Sequence, residues 1–276
     1  MTRHGFRVQV TSPEGEKFIR KAMDKAPGEG ENVVERIPFK FEFDETLRPN
    51  FGRITLTNIK PKHRKQFKKG EKLTLEAGWL PEKENHQMKL DLDITNTNTY
   101  VRDGGSTYDT DIMVRDTPTS YHRYVLAKHW HRGIEAKEVL EDIVKNELCV
   151  PVKEWRCDSS KTYKRGKSFY LPAIQAIRQV SSDVQGKFFF YNKGAYLLPA
   201  NESIPTSITT TGNDIVSGTF DKAGVNHKAI FQMLPRAKPA HDIHVSTDEL
   251  KGNFSVYSGK HTSEDGRKLY SILRFK

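Results

Sequence analysis

The sequence lacks most of the features that mark an enzyme, a metalloprotein or a membrane protein. It has only two cysteines in 276 residues, and no GxGxxG, P-loop, GxSxG or HExxH motif occurs. No apolar run approaches the length of a membrane-spanning helix, and the first ten residues lack the apolar core of a signal peptide. We therefore expect a protein without enzymatic activity that uses no cofactor and does not enter a membrane.

The histidines and cysteines lack the spacing of a metal site. His129 and His131 share one face of a strand-like segment with His122 upstream, but a third ligand at readable spacing is missing. Cys149 and Cys157 lie eight positions apart and have no CxxC companion, so two free thiols are favoured over a disulfide. No carboxylate pair stands out as an acid–base couple. We assign no catalytic, cofactor-binding or metal-ligating residue.

Positive charge is what the chain has in excess, with a formal net charge of +10. Much of it lies in residues 60–72, where only Glu71 opposes a run of cations. Those with the clearest potential to contact an anionic partner are Lys62, Arg64, Lys65, Lys68 and Lys69. The alternative is a solvated connector whose charges keep a turn exposed. Specific nucleic-acid binding is not predicted, because only Phe67 interrupts the run and single-strand binders stack bases on several aromatic side chains.

Strand-like alternation dominates the first half of the chain. Apolar residues recur at every second position in four segments that end near Phe43, Leu56, Ala77 and Ile94. With further strands expected at 110–115 and 121–127, this pattern predicts a small antiparallel β-barrel over residues 33–128.

Two stretches of the first half are not expected to be strands. The polar residues 96–108 are predicted to form a long loop, used in contacts or mobile. Residues 1–32 are predicted to form a strand from Phe6 to Val10 followed by an arm, with a short helical turn at Phe18 and Ile19 and an exposed loop at 26–30.

Helical spacing replaces the alternation after Gly133. Apolar residues at three- and four-residue steps predict helices over residues 136–148 and 171–184, and Asn192-Lys193-Gly194 predicts a β-hairpin. Residues 129–204 are therefore predicted to form an α/β insert domain. Five strand-like segments between glycines and prolines then predict a second small β-barrel over residues 205–276. The predicted fold class is α+β and mainly β.

The stretch that ends at Trp79 carries a family resemblance. It contains Arg53-Ile-Thr-Leu-Thr-Asn-Ile59, then Pro61-x-x-Arg64-x-x-Phe67-x-Lys-Gly, then a strand that ends in Ala-Gly-Trp. In order and spacing this resembles the first β domain of bacteriophage tail and baseplate hub proteins, the late control protein D family. A weaker resemblance continues through Lys164-Arg-Gly-Lys-Ser168 and the late strand around Phe254.

The resemblance implies a structural role. Members of that family carry two tail-tube-like β-barrels per chain, so that a homotrimer presents six and matches a hexameric tail tube to a three-fold central spike. It implies a virion location in the tail or baseplate, with assembly in the host cytoplasm. The implied partners are the tail tube or distal tail protein, the central spike protein and the tape-measure protein, while DNA passes through without specific binding.

The basic charge departs from the neutral or acidic interior expected of a tail tube. The cations are therefore expected to face outward or toward an acidic neighbour, since a basic lumen would retain DNA. The alternative from another functional class is a basic β-barrel protein that binds nucleic acid or another anionic surface.

Overall fold

The computed structural model describes residues 6–12, 19–24, 36–79, 87–102, 105, 107–117, 121, 123–157, 161–220, 226–264 and 268–276. The predicted loop at 26–30 and His122, the histidine upstream of His129, lie outside the described residues. The chain divides into two compact units. The first comprises Met1–Phe43, Asn50–Asp116 and Ile204–Lys276, and the second comprises Asp44–Pro49 and Thr117–Ser203.

Most of the described elements are β-strands, which confirms the prediction of a mainly β protein. In chain order they are β1 (Phe6–Thr11), β2 (Ile19–Asp24), β3 (Phe39–Asp44), β4 (Phe51–Thr57), α1 (Pro61–Arg64), β5 (Lys72–Trp79), β6 (Gln87–Arg102), β7 (Thr107–Arg115), β8 (Val125–Trp130), α2 (Ala136–Asp142), a π-helical turn (Ile143–Glu147), β9 (Val152–Trp155), β10 (Lys167–Pro172), α3 (Ala173–Asp183), β11 (Gly186–Tyr191), β12 (Gly194–Pro199), β13 (Thr209–Thr211), β14 (Ile215–Thr219), β15 (His227–Gln232), β16 (Asp242–Ser246), β17 (Lys251–Ser263) and β18 (Tyr270–Phe275). None of the described helices is long and apolar enough to cross a membrane.

The first unit is built on a 13-stranded sheet. Its main path runs β14-β15-β18-β17-β3-β4-β7-β6-β5-β1-β2, and β16 joins β13 to β17 at the side of that path. The alternating apolar residues of the sequence explain why these strands form, because one side chain in two faces the core. Phe39, Phe41 and Phe43 are at most 3% exposed, and Leu90 and Leu92 are fully buried.

The strands of the two predicted barrels meet at β3 and β17. The hydroxyl of Thr262 on β17 donates to the carbonyl oxygen of Phe39 on β3 at 3.0 Å, and the His261 ring lies 5.1 Å from the ring of Phe43. Because β3 also pairs with β4, the described strands of the first unit form one sheet whose path ends at β14 and β2. Two separate closed barrels are therefore not confirmed, and the domain boundaries stay predictions.

Two local predictions are wrong, and a third, the strand at 121–127, is right only from Val125, where β8 begins. Residues 96–102 continue β6 and residues 107–108 begin β7, where a polar loop was expected. Backbone pairing of Thr97 with Ile112 and of Thr99 with Thr110 extends the hairpin although most of its outer side chains are exposed. Ile19 begins β2 instead of a helical turn, because its backbone pairs with β1; Phe18 lies outside the described residues.

In the second unit the helix and hairpin predictions are confirmed. The apolar stripe of α2 and the π-helical turn is fully buried, as are Ile177 and Val180 of α3. Asn192 and Lys193 take positive φ angles of 47° and 60°, the conformation that a tight two-residue hairpin between β11 and β12 requires. These elements enclose one apolar core of their own.

Candidate functional site

Residues 60–72, which carry the run of cations, form a tight connector between β4 and β5. We call this connector the basic turn. Pro61 opens the single helical turn α1, where its fixed φ and missing N–H suit the first helical position. The N–H groups of His63 and Arg64 then donate to the carbonyl oxygen of Lys60 at 2.9 and 3.1 Å. Gly70 has a φ of +92°, a conformation that favours glycine and lets the chain turn into β5.

The basic turn is fixed to the sheet at both ends. Phe67 is 2% exposed, and its carbonyl oxygen accepts a hydrogen bond from the Thr97 hydroxyl at 2.7 Å. The Gly70 N–H donates to the Ile94 carbonyl oxygen at 2.8 Å, and the Ile94 N–H donates to the carbonyl oxygen of Glu71 at 2.8 Å. The cations are therefore presented on a well-anchored support.

The structure brings the five predicted contact residues together on this turn but divides them into two kinds. The lysine side chains are exposed and form no ion pair within the described part of the chain; they are Lys62, Lys65, Lys68 and Lys69. Arg64 is half-buried instead. Its Nε–H donates to the Ile59 carbonyl oxygen at 3.2 Å, and its guanidinium carbon lies 5.8 Å from the centre of the Tyr108 ring. That separation is within the range of a cation–π contact.

Tyr108 belongs to the outer part of the β6–β7 hairpin and was missed by sequence reasoning. Its carbonyl oxygen accepts from the Asn58 N–H at 2.7 Å, and its own N–H donates to Oδ1 of Asn58 at 2.9 Å. Asn58 has a φ of +52°, which an asparagine tolerates better than most residues. These two bonds tie the start of the basic turn to the hairpin.

The two faces of this hairpin differ in charge. Tyr108 lies opposite Val101 on the face next to Arg64, and the two side chains are 43% and 54% exposed. The other face carries Asp109 and Asp111, since successive strand residues alternate in direction.

The carboxylates of that second face are compensated within the sheet. Asp109 pairs with Arg102 and accepts a hydrogen bond from the Thr57 hydroxyl at 2.8 Å. Asp111 pairs with Arg53, and this hydrogen bond raises the pKa of the Arg53 guanidinium. These carboxylates are therefore already engaged on the face opposite Tyr108.

A compensated cluster also occurs in the second unit. The Lys128 ammonium donates to Asp142 Oδ2 at 2.7 Å and to Glu147 Oε1 at 2.6 Å. The hydroxyl of Tyr124 donates to Glu147 Oε2 at 2.5 Å, and the indole N–H of Trp130 donates to Asp142 Oδ2 at 2.8 Å. The hydrogen bond to Asp142 raises the pKa of Lys128, and the hydrogen bond from Lys128 lowers the pKa of Glu147. Every charge here has a partner within the second unit.

The described histidines and cysteines that the sequence analysis considered as metal ligands do not form a metal site. His129 Nδ1 lies 2.7 Å from the Ser168 hydroxyl, and no group of three His, Cys, Asp or Glu side chains among the described residues could hold a metal ion. Both cysteines are free thiols, with Cys149 exposed and Cys157 half-buried.

The fold of the chain is that of a phage-type tail protein. It is similar to the tail protein from Neisseria meningitidis, with a TM-score of 0.67 and 10% identity over 99% of this chain and 96% of that chain. It is also similar to the 43 kDa tail protein of prophage MuSo2 from Shewanella oneidensis, with a TM-score of 0.66 and 7% identity over 98% of this chain and 96% of that chain. The predicted resemblance to phage tail and baseplate proteins is thus confirmed as a likeness of fold.

A third similar structure comes from a secretion system. It is the E. coli c3393 protein, a component of the type VI secretion system that is itself similar to the T4 bacteriophage tail proteins gp27 and gp5. The TM-score is 0.58 and the identity 8%, over 87% of this chain and 73% of that chain. No protein-family model and no curated protein matches the sequence.

Proposed function

We propose that the chain is the structural hub of a phage-type tail or baseplate, a homotrimer that joins a six-fold tail tube to a three-fold central spike. The observation that carries this proposal is the extent of the shared fold, which covers 99% of this chain and 96% of the Neisseria tail protein. An alignment that covers 99% of the chain includes residues of both units. The role is that of a scaffold without catalysis, in the virion after assembly in the host cytoplasm.

The arrangement of strands supports the proposed symmetry match. On the sheet, β1 to β7 lie on one side of the β3–β17 junction, and β14, β15, β17 and β18 lie on the other. We propose that each group supplies one tube-like segment, as the predicted barrels over residues 33–128 and 205–276 would. Three chains would then offer six such segments to a hexameric ring.

The proposed partners follow from that position. They are the tail tube or distal tail protein on one side, the central spike protein on the other and the tape-measure protein within, while DNA passes without specific binding. The lysines of the basic turn have no ion pair in the described part of the chain, which supports a contact of this turn with one of these neighbours. The predicted contact residues remain Lys62, Arg64, Lys65, Lys68 and Lys69.

Mass in solution tests the proposal. Light scattering on the purified chain, alone and mixed with tail-tube and central-spike proteins, should give a trimer or a ring-like complex with those proteins. A monomer that forms no such complex and binds DNA with a strong salt dependence would contradict the proposal and favour the anionic-surface alternative.

A further inference from the structure

The exposed side chains of Tyr108 and Val101 form a small apolar patch at the outer part of the β6–β7 hairpin. The two residues are direct cross-strand partners, and side chains of such partners lie side by side on one face of a sheet. Their exposures of 43% and 54% leave much of both side chains in water. An isolated exposed apolar residue is ordinary, but this pair adjoins a group of unpaired charges.

Arg64 links that patch to the basic turn. Its guanidinium carbon lies 5.8 Å from the Tyr108 ring centre, and its Nε–H is held by the Ile59 carbonyl oxygen at 3.2 Å. The ring therefore stands against a cation from the same turn that carries the exposed lysines. Tyrosine and arginine are the residue types most often found at energetic centres of protein interfaces, with charged residues at the rim.

The lysines of the basic turn that carries Arg64 are uncompensated among the described residues. The only carboxylate of the basic turn is Glu71, which is exposed. Asp109 and Asp111 belong to the opposite face of the hairpin and are engaged by Arg102 and Arg53. A ligand with carboxylates would meet the lysines without competition from them.

We infer that Tyr108, Val101, Arg64 and the lysines of the basic turn form one docking surface for an acidic segment of a different tail protein. Tyr108 is the apolar centre of this surface and the lysines are its rim. The inference rests on the proposed function, because it takes the partner from the tail, and it adds which residues bind and what chemistry the partner presents.

Two observations decide between partners. A second copy of this chain carries the same formal charge of +10, so its net electrostatic complementarity to the lysines is poor. A single-stranded nucleic acid would be held through several aromatic platforms along a basic groove, whereas among the described residues Tyr108 is the ring that stands against Arg64 of this turn. Duplex DNA would engage the lysines through its phosphates and would leave the exposed Tyr108–Val101 pair without a role. An acidic protein segment satisfies both the charge and the compact apolar centre.

Zero-length carbodiimide coupling on purified tails that contain the chain tests the inference. This reagent joins a lysine amine to a carboxylate that it touches, and mass spectrometry identifies the linked peptides. We expect Lys62, Lys65, Lys68 or Lys69 to be coupled to Asp or Glu of another tail protein. Coupling to a second copy, or lysines that react with an acylating reagent as fast in the tail as in the free chain, would overturn the inference. Lysines that become reactive only after nuclease treatment would also overturn it.

A pair of tyrosine variants tests the apolar centre. Tyr108→Ala should lower the amount of chain incorporated into tails about tenfold, as loss of an interface anchor does. Tyr170→Ala is the matched control, because Tyr170 is 84% exposed on β10 of the second unit. Equal incorporation of Tyr108→Ala and the wild-type chain, or equal losses for both variants, would overturn the inference. A wild-type chain that is absent from purified tails would instead overturn the proposed function itself.

Discussion

Lysine side chains occupy two contrasting settings in this protein. Lys128 lies between Asp142 and Glu147 at hydrogen-bonding distance, and each of those carboxylates has a second donor. The lysines of the basic turn point into water and have no ion pair in the part of the chain that the structure describes. The charge of Lys128 is paired within the fold. The charges of the basic-turn lysines remain available to a partner.

The two settings differ in whether the lysines have ion-pair partners, and not in whether the backbone that carries them is anchored. The basic turn is held by Phe67 in the core and by backbone hydrogen bonds to Ile94, so its lysines start from a fixed platform. Exposed charges on such a platform contribute little to folding, because water screens them. In the proposed docking surface, their free-energy contribution would come from a partner that supplies carboxylates and excludes that water.

Removal of the anchor gives the largest expected effect. Phe67→Ala deletes a side chain that is 2% exposed, and we expect it to lower the free energy of unfolding by about 4 kcal/mol. Chemical denaturation followed by circular dichroism measures this loss. Phe51→Ala is the control, because Phe51 is 53% exposed and its loss should cost less than about 1 kcal/mol. Similar losses for both variants would show that Phe67 does not anchor the turn.

Acid should act on the buried imidazole of His261 and not on the exposed lysines. Burial lowers the pKa of His261 from 6.5 to about 4, and its ring nitrogens are bonded to the Ala237 carbonyl oxygen and the Ser271 hydroxyl at 2.9 Å. The unfolded chain binds the proton more tightly, so stability is complete above pH 6.5 and falls as the pH drops toward 4. We expect His261 to contribute a loss of about 3 kcal/mol across that window.

Unfolding curves at pH 7 and at stepwise lower pH measure this dependence. His261→Gln should flatten the pH profile, although not fully, because burial also lowers the pKa of His241 to about 4. An unaltered profile in His261→Gln would contradict the assignment.

Breaking the compensated cluster should cost less than removal of Phe67. Lys128→Met leaves Asp142 and Glu147 without their shared cation, and we expect a loss of about 2 kcal/mol in the free energy of unfolding. Lys145→Met removes the exposed pair with Glu141 and should cost less than about 0.5 kcal/mol. If both variants lose the same stability, the cluster around Lys128 contributes no more than an exposed ion pair does.

Charge reversal of the basic turn should have the smallest effect on stability and a large effect on assembly. Changing Lys62, Lys65, Lys68 and Lys69 together to Glu should alter the free energy of unfolding by less than about 1 kcal/mol, because none has an ion pair among the described residues. Tail assembly, measured as the amount of chain in purified particles, should fall severely.

A control variant makes the same change in net charge outside the basic turn. The control changes other exposed cations to Glu, namely Lys164, Arg165, Arg178 and Lys228. We expect it to assemble normally. Normal assembly of the basic-turn variant would return residues 60–72 to the role of a solvated connector.

The elements with strong periodicity were predictable from the sequence. The alternation of Phe39, Phe41 and Phe43 marks β3. The steps of three and four residues from Ala136 to Val139 and Leu140 mark α2, and in each case the core selects one face. The outer half of the β6–β7 hairpin was missed because its exposed side chains leave no such trace. Only backbone pairing with the opposite strand reveals it.

The contacts between distant segments were not predictable. The β3–β17 junction joins Phe39 to Thr262, and no local pattern records which strands become neighbours across that separation. The cations of the candidate site were found because they are adjacent in sequence. Tyr108 belongs to a polar stretch whose composition predicts a loop, and only the folded hairpin brings it to Arg64.

The copy number of the chain in an assembled tail tests the central claim most directly. Electron cryomicroscopy of purified tails should show three copies in one ring between the tail tube and the central spike, with the two strand groups of each chain in successive positions of a pseudo-six-fold ring. Six copies in a ring, or a position away from that junction, would contradict the proposal of a trimeric hub.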